Sequence, residues 1–306
     1  MIVVAGDNLV DLIVSPDGRL EPVPGGGAFN TARTLARLGR PVAFLCCLST
    51  DHFGRRLRAA LADDGVDLGL VAATDAPTTL AVAELDHHGS ATYRFYLAGT
   101  AAASLDDAHV RSVMATDPDV LHVASLGLVM EPIGATIEAL VGRIGPATLL
   151  MVDPNCRPTV IADAAGYRRR LGAILARADV IKVSDDDLAY LEPGLDARTA
   201  AERLREGSQA VVLVTRGADP VLVVGTAGRA FEVEVPAITV VDTVGCGDAF
   251  GGGFLAWWSE HGLGRDALAD PATVRDAVAF AVEVAAITGQ RAGADPPRRS
   301  ELLART

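Results

Sequence analysis

Between Asp242 and Phe254 the chain reads DTVGCGDAFGGGF, with Asp248 directly after Gly245, Cys246 and Gly247. Glycine inside a helix costs about 0.8–1.0 kcal/mol relative to alanine, so this density of glycine needs a reason. The preceding AITVVD is apolar and β-branched and the following DAFGGGFLAWW is helix-like, a spacing that predicts a strand–loop–helix junction. Glycine there permits positive φ and close approach of a ligand to backbone N–H groups. The first turn of the helix adds unpaired N–H donors and the positive end of the macrodipole, so an anion is favoured. Asp248 is then either a helix-start acid beside a tight turn or a base aimed at a group next to the anion. Gly251, Gly252 and Gly253 read as positions that let the helix lie close to a neighbouring element.

Other short polar residues stand at the ends of apolar runs. Asn8 and Asp11 lie in GDNLVDL, and Gly25, Gly26 and Asn30 in PGGGAFNTARTLARLG. Taken singly, each is a cap or turn residue as readily as a ligand for hydroxyl groups. Ser184 and Asp187 open the acidic stretch SDDDL after a strand-like run, where acids also suit a helix N-terminus. The six histidines form no ligand cluster, and His87 and His88 precede Gly89 in an expected solvated hairpin turn. Arg168, Arg169 and Arg170 read as the polar face of a helix.

The elements that must carry these residues alternate. IVVAG, VAFLCCL, VLHVAS, ATLLMVD, DVIKVS and AVVLVT read as buried strands. Between them lie amphipathic stretches such as FNTARTLARLG, GRRLRAALADDG, IGATIEALVGRI and GYRRRLGAILARA. Strands separated by helices predict an α/β fold with a mainly parallel sheet sandwiched by helices. Two segments, about 12–23 and 77–98, depart from this rhythm with Pro-Asp-Gly and alternating patterns. They predict a small inserted β-sheet acting as a lid on one domain spanning 1–306, with a second copy of the chain pairing through it. The chain of 306 residues is half hydrophobic, with 22% charged residues and a net charge of −12. That balance argues against a general nucleic-acid binder. No uncharged run is long enough to span a bilayer. MIVVAGDNLVDL lacks the pattern of a signal peptide, and the four cysteines have no zinc-like spacing, so free thiols and a cytoplasmic location are expected.

Taken together, DTVGCGD, PGGGAFN, GDNLVDL, STDHFGRRLRAALADDGVD, DPNCRP, LVTRGAD and TGQRAGADPP resemble, in order, the signatures of the PfkB (ribokinase-like) family of carbohydrate kinases. The family's usual Asp-Thr-x-Gly-Ala-Gly-Asp is kept except that Cys246 replaces alanine. The resemblance implies transfer of the γ-phosphate of ATP to a sugar hydroxyl. Asp248 would be the base, and the N–H groups of Gly245, Cys246 and Gly247 the anion hole. Asn8, Asp11, Gly25, Gly26, Asn30 and Arg157 would contact the sugar, and Ser184, Thr215, Gly217 and Gly247 the nucleotide. Where the family often carries Asn-x-x-Glu near Mg²⁺, this chain has Ser184 and Asp187, so Asp187 would act on the metal through water. Asp242 with nearby carbonyls would take a monovalent cation such as K⁺. DPNCRP is like fructokinase-type and 2-keto-3-deoxygluconate kinase-type members. Sugar-acid members carry a lid arginine where Leu97 stands here, which favours a neutral sugar, fructose first, over 2-keto-3-deoxygluconate. A dinucleotide-dependent oxidoreductase would need Gly-x-Gly-x-x-Gly after the first strand, which VVAGDNLVDL lacks. A non-catalytic sugar or nucleotide sensor would have no use for Asp248.

Overall fold

The computed structural model describes residues 1–85, 91–226 and 228–303, so His87, His88 and Gly89 lie outside the described residues. The strands run in chain order as β1 (Ile2–Gly6), β2 (Leu9–Val14), β3 (Leu20–Gly25), β4 (Val42–Ser49) and β5 (Val71–Thr74). They continue as β6 (Leu80–Leu85), β7 (Ala91–Tyr96), β8 (Val120–Ala124) and β9 (Leu149–Asp153). The last four are β10 (Val180–Ser184), β11 (Val211–Arg216), β12 (Asp219–Val224) and β13 (Ala230–Val233). Nine of them form one sheet in the order β13-β12-β11-β10-β9-β8-β1-β4-β5, parallel from β5 through to β11 and antiparallel beyond.

Helices cover both faces of this sheet and bury an apolar cluster on each. All eight residues of β4 are buried, as expected of a continuous apolar strand. The helix Cys246–Glu260 lies against the helices Gly27–Arg37 and Pro271–Thr288, and Gly252 and Gly253 let it approach one of them each. A Cβ on Gly252 would meet the side chain of Thr34 at 2.7 Å, and one on Gly253 would meet Ala281 Cα at 3.0 Å.

The remaining four strands form a separate sheet, β3-β2-β6-β7, that leaves the main sheet directly after β1. Its strands begin and end a few residues away from the segments expected from sequence. AITVVD is not a strand: residues 234–240 run as an extended connection, with Val240 and Val241 more than half exposed. β-branched residues alone do not make a strand. This segment has no neighbouring ladder, and only the N–H groups of Val241 and Asp242 are tied, to Gly289 O. The cysteines are free, with Cys46, Cys47 and Cys156 buried. No helix among the described residues is long and apolar enough to cross a membrane.

Candidate active site

The chain winds outward from β1 to β5 on one side and from β8 to β11 on the other, so the direction reverses between β1 and β8. At such a switch point the connections leave in opposite directions, opening a crevice beyond the carboxyl ends of the strands. Asp7, Ser125, Asp153 to Arg157, Ser184 and Thr215 all stand at those ends. Ser125 and Asn155 have φ of 59° and 40°, and Asn155 Nδ2 donates to Ser125 Oγ at 3.5 Å. Left-handed backbone at residues other than glycine stores about 1–3 kcal/mol and is concentrated at functional sites.

Helix Cys246–Glu260 points its first turn into this crevice. Gly245 has φ 76°, and a Cβ there would lie 2.5 Å from the Ala294 methyl, so the turn admits only glycine. Cys246 N–H donates to Thr243 O at 3.2 Å, closing the turn. That leaves the N–H groups of Gly245, Gly247 and Asp248 without a protein acceptor among the described residues. Of the three donors expected to form an anion hole, the Cys246 N–H is thus used inside the turn, while the Asp248 N–H beside it has no such partner.

Asp248 is 8% exposed, and its Oδ2 accepts from Asn30 Nδ2 at 2.9 Å. Burial pushes its carboxyl up to about 7, against the Asn30 hydrogen bond and the Lys182 charge, which pull it down. A carboxylate with that affinity is half ionised near neutrality and suited to taking a proton and giving it back.

The side of the crevice nearer the small sheet is polar and glycine-lined. Asp7 sits under the N-terminus of helix Gly27–Arg37 and accepts from the N–H groups of Gly27 at 3.2 Å and Ala28 at 3.4 Å. Burial raises its carboxyl to about 6. Gly26, with φ 113°, leaves 2.9 Å between a would-be Cβ and Asn8 Cα. Asp11 projects over Gly25, where a Cβ would strike its Oδ2 at 2.3 Å, and burial raises its carboxyl to about 6 as well. Tyr93 lies in the row beside Asp11 on the same face of the small sheet and feels the charges of Asp11, Asp242 and Arg157. Arg157 is exposed and donates to Cys156 O at 3.0 Å, with its charge reaching Asp7 and Asp153. Asn8 does not join this group. Its Nδ2 donates to Cys47 O at 3.0 Å inside the fold, so it ties β1 to β4.

On the opposite side, Ser184 caps helix Asp185–Leu191 and Thr215 donates to Val183 O at 3.3 Å. Gly217 turns the β11–β12 hairpin at φ 60° with open space where a Cβ would be. Asp187 is not the open carboxylate that a metal role would need. Its Oδ1 accepts from Cys156 N–H at 2.5 Å, and its Oδ2 from Ser184 N–H at 2.8 Å and Ser184 Oγ at 2.7 Å. It is 3% exposed and clamps the loop after β9 to the end of β10. Asp242 is braced in a similar way, accepting from Val244 N–H at 3.0 Å and Gly293 N–H at 2.9 Å. Among the described residues no three His, Cys, Asp or Glu side chains converge to hold a metal ion.

The pattern of the pfkB family carbohydrate kinases matches residues 1–301 of this sequence. The chain belongs to that family. The kinase is 36% identical over 266 residues to a fructokinase of Rhizobium leguminosarum bv. trifolii, spanning 84% of this chain and 79% of that one. Its fold matches the crystal structure of Xylella fastidiosa fructokinase with bound ATP at TM-score 0.90 and 29% identity, covering 99% of this chain and 97% of that chain. Vibrio cholerae O395 fructokinase, in its fructose-, ADP- and calcium-bound form, matches at TM-score 0.86 and 28% identity over 99% and 97% of the two chains. The kinase thus has the ribokinase-like α/β fold of its fructokinase neighbours.

Several residues that line or underlie this crevice escaped sequence reasoning, Asn155 and Asp153 among them. Asp7 was hidden by its neighbour Asn8, since adjacent residues at a strand end point opposite ways. Tyr93 gave no signal beyond strand alternation. Lys182, in the middle of the apolar VIKVS, was visible as an anomaly: a cation in a strand buried on both faces.

Proposed function

We propose that this carbohydrate kinase moves the γ-phosphoryl group of ATP to a hydroxyl of a neutral ketose, with fructose as the first candidate. The observation that carries the reading is the buried Asp248, held by Asn30 beside three N–H groups that have no protein acceptor among the described residues, in a switch-point crevice. Asp248 takes the proton of the attacking hydroxyl as its oxygen bonds to the γ-phosphorus and the bond to ADP breaks. The N–H groups of Gly245, Gly247 and Asp248 hold the charge on the transferring oxygens.

The sugar side is assigned to Asp11, Gly25, Gly26, Asn30, Asn155 and Arg157, and the nucleotide side to Ser184, Thr215, Gly217 and Gly247. Mg²⁺ neutralises phosphate charge in such transfers and keeps most of its waters. With Asp187 committed to the N–H groups of Cys156 and Ser184 and to the Ser184 hydroxyl, Mg²⁺ would be held chiefly by the nucleotide phosphates and water, with Asp187 no closer than through a water. A monovalent cation beside Asp242 would rest chiefly on backbone carbonyls for the same reason. The small sheet is assigned the part of a lid, with Tyr93 over the sugar side. Its other face, with Leu20 and Tyr96 exposed, is the proposed contact for a second copy.

Preference for a neutral sugar rests on where the cations are. Arg94 lies on the face of the small sheet opposite Asp11, 3.8 Å from Glu84, and Leu97 packs into an apolar cluster. Arg157 is left to meet a carboxylate without the second arginine of a bidentate clamp. ADP release measured across a sugar panel tests this. Fructose is expected to give the highest kcat/KM, and a higher value for 2-keto-3-deoxygluconate than for every neutral sugar would overturn the reading.

A further inference from the structure

Lys182 is 4% exposed and lies on the sheet face covered by helix Cys246–Glu260. Its Nζ donates to Asp153 Oδ2 at 2.8 Å, and both side chains are almost fully buried. Burying such a pair carries a desolvation penalty that apolar residues of similar volume would avoid. Where the ammonium sits explains its presence. A Cβ on Gly247 would lie 2.7 Å from Nζ, so the charge touches the underside of the turn whose N–H groups face the crevice. Asp153 stands at the carboxyl end of β9, with its Oδ1 buried and unpartnered, while its Oδ2 anchors Nζ. Gly247 is glycine because the ammonium occupies the space a side chain would need.

We propose that Lys182, anchored on Asp153, is a positioning residue for phosphoryl transfer that supplies fixed positive charge to the underside of the Gly245–Gly247 turn. The inference rests on the kinase reading above. The macrodipole gives the turn only a fraction of a charge; the ammonium lies against the turn and its Asp153 partner lies behind it, so the pair presents its positive end to the turn in a site from which water is largely excluded. The same ammonium acts on Asp248. The charged groups acting on that carboxyl are Lys182 from β10, Asp153 from β9 and Asp7 just beyond β1, and Asn30 donates to it from the neighbouring helix. Lys182 favours the carboxylate and outweighs the opposing push of Asp153. One residue therefore serves both the base and the anion hole.

Replacing Lys182 alone would strand the buried Asp153, so the test uses Lys182→Met and Lys182→Met/Asp153→Asn side by side, with thermal melts to confirm folding. If Lys182 only neutralised Asp153, the double variant would recover wild-type turnover. Under the proposal the double variant stays at least about tenfold slower in kcat, short of the roughly 10²–10³ lost with a direct oxyanion-hole donor because Lys182 acts through the turn, while the sugar KM changes little. A second readout needs no turnover. Titration of Asp248 followed by carbon NMR of labelled aspartate should show its pKa higher in the double variant than in wild type. Recovery of wild-type kcat, or an Asp248 titration that does not move, overturns the proposal. A wild-type protein inactive on every sugar would instead count against the kinase reading, and the titration would still decide the role of Lys182.

Discussion

Asn30→Leu should displace the pH dependence of this kinase without abolishing its chemistry. Among the described residues, Asn30 Nδ2 gives Asp248 its one side-chain hydrogen bond, at 2.9 Å, while Asn30 Oδ1 is buried without a partner. Leucine of similar shape therefore removes the donor and also removes an unpaired acceptor, so the fold should tolerate the change. A hydrogen bond to a charged group contributes about 1.5–3 kcal/mol, and about 1.4 kcal/mol corresponds to one pKa unit. The Asp248 carboxyl, now at about 7, should then titrate about 1–2 units higher. At pH 7 the ionised fraction would drop from about one half to between one in ten and one in a hundred, so kcat/KM falls about 5- to 50-fold. The loss should shrink as pH rises past the new value, leaving only whatever Asn30 contributes by touching the sugar. A coupled ADP-release assay from pH 5.5 to about 9.5, a window that brackets both values, reads the acid limb directly. An acid limb unmoved from wild type, with activity lowered equally at every pH, would refute the assignment of Asn30 to Asp248.

Further expectations follow from the same geometry. Asp248→Asn should be more thermostable than wild type above neutrality. The folded carboxyl titrates near 7 against 3.8 when unfolded, so wild-type stability is lost as pH rises through that window. Melting curves at pH 4 and pH 8 should show the variant's advantage only at the higher pH. Gly245→Val should destabilise by about 2–5 kcal/mol, from left-handed strain plus overpacking against Ala294. Cys246→Ala should retain wild-type turnover, because its N–H closes the turn and its thiol takes no part in the chemistry. Denaturant titrations and kcat separate these two, and an inactive Cys246→Ala would show that the thiol matters. Asp187→Ala should lower Tm by stranding the N–H groups of Cys156 and Ser184, while the Mg²⁺ concentration for half-activity stays at the wild-type value. A large rise in that concentration would restore Asp187 to the metal.

Most of the architecture was legible because the central strands are buried on both faces. A run such as VAFLCCLS has no polar face to show solvent, so only one setting suits it. The close packing at Gly252 and Gly253 was legible for a similar reason, since a side chain there would meet Thr34 on one side and Ala281 on the other. AITVVD misled because β-branched composition reports fitness for a strand and says nothing about whether a partner strand is in reach. Asp187 misled differently. Ser-x-x-Asp before a helix has the spacing of a capping box, and the structure shows that box formed. The metal reading came instead from the resemblance, which sets Ser184 and Asp187 where the family often carries Asn-x-x-Glu. Asn8 and Asp7 could not be told apart, because sequence does not show which of two adjacent polar residues a strand end turns toward the crevice. The Lys182–Asp153 pair needed the register of β9 and β10, which brings together residues 29 positions apart.

The measurement that bears most directly on the central claim is the turnover of Asp248→Asn with ATP and fructose beside its affinity for ATP. Asparagine keeps the shape of the side chain and cannot accept the hydroxyl proton. The account predicts a folded protein that binds ATP about as wild type does and turns over roughly 10²-fold more slowly or worse. A folded Asp248→Asn enzyme with near-normal kcat would contradict it.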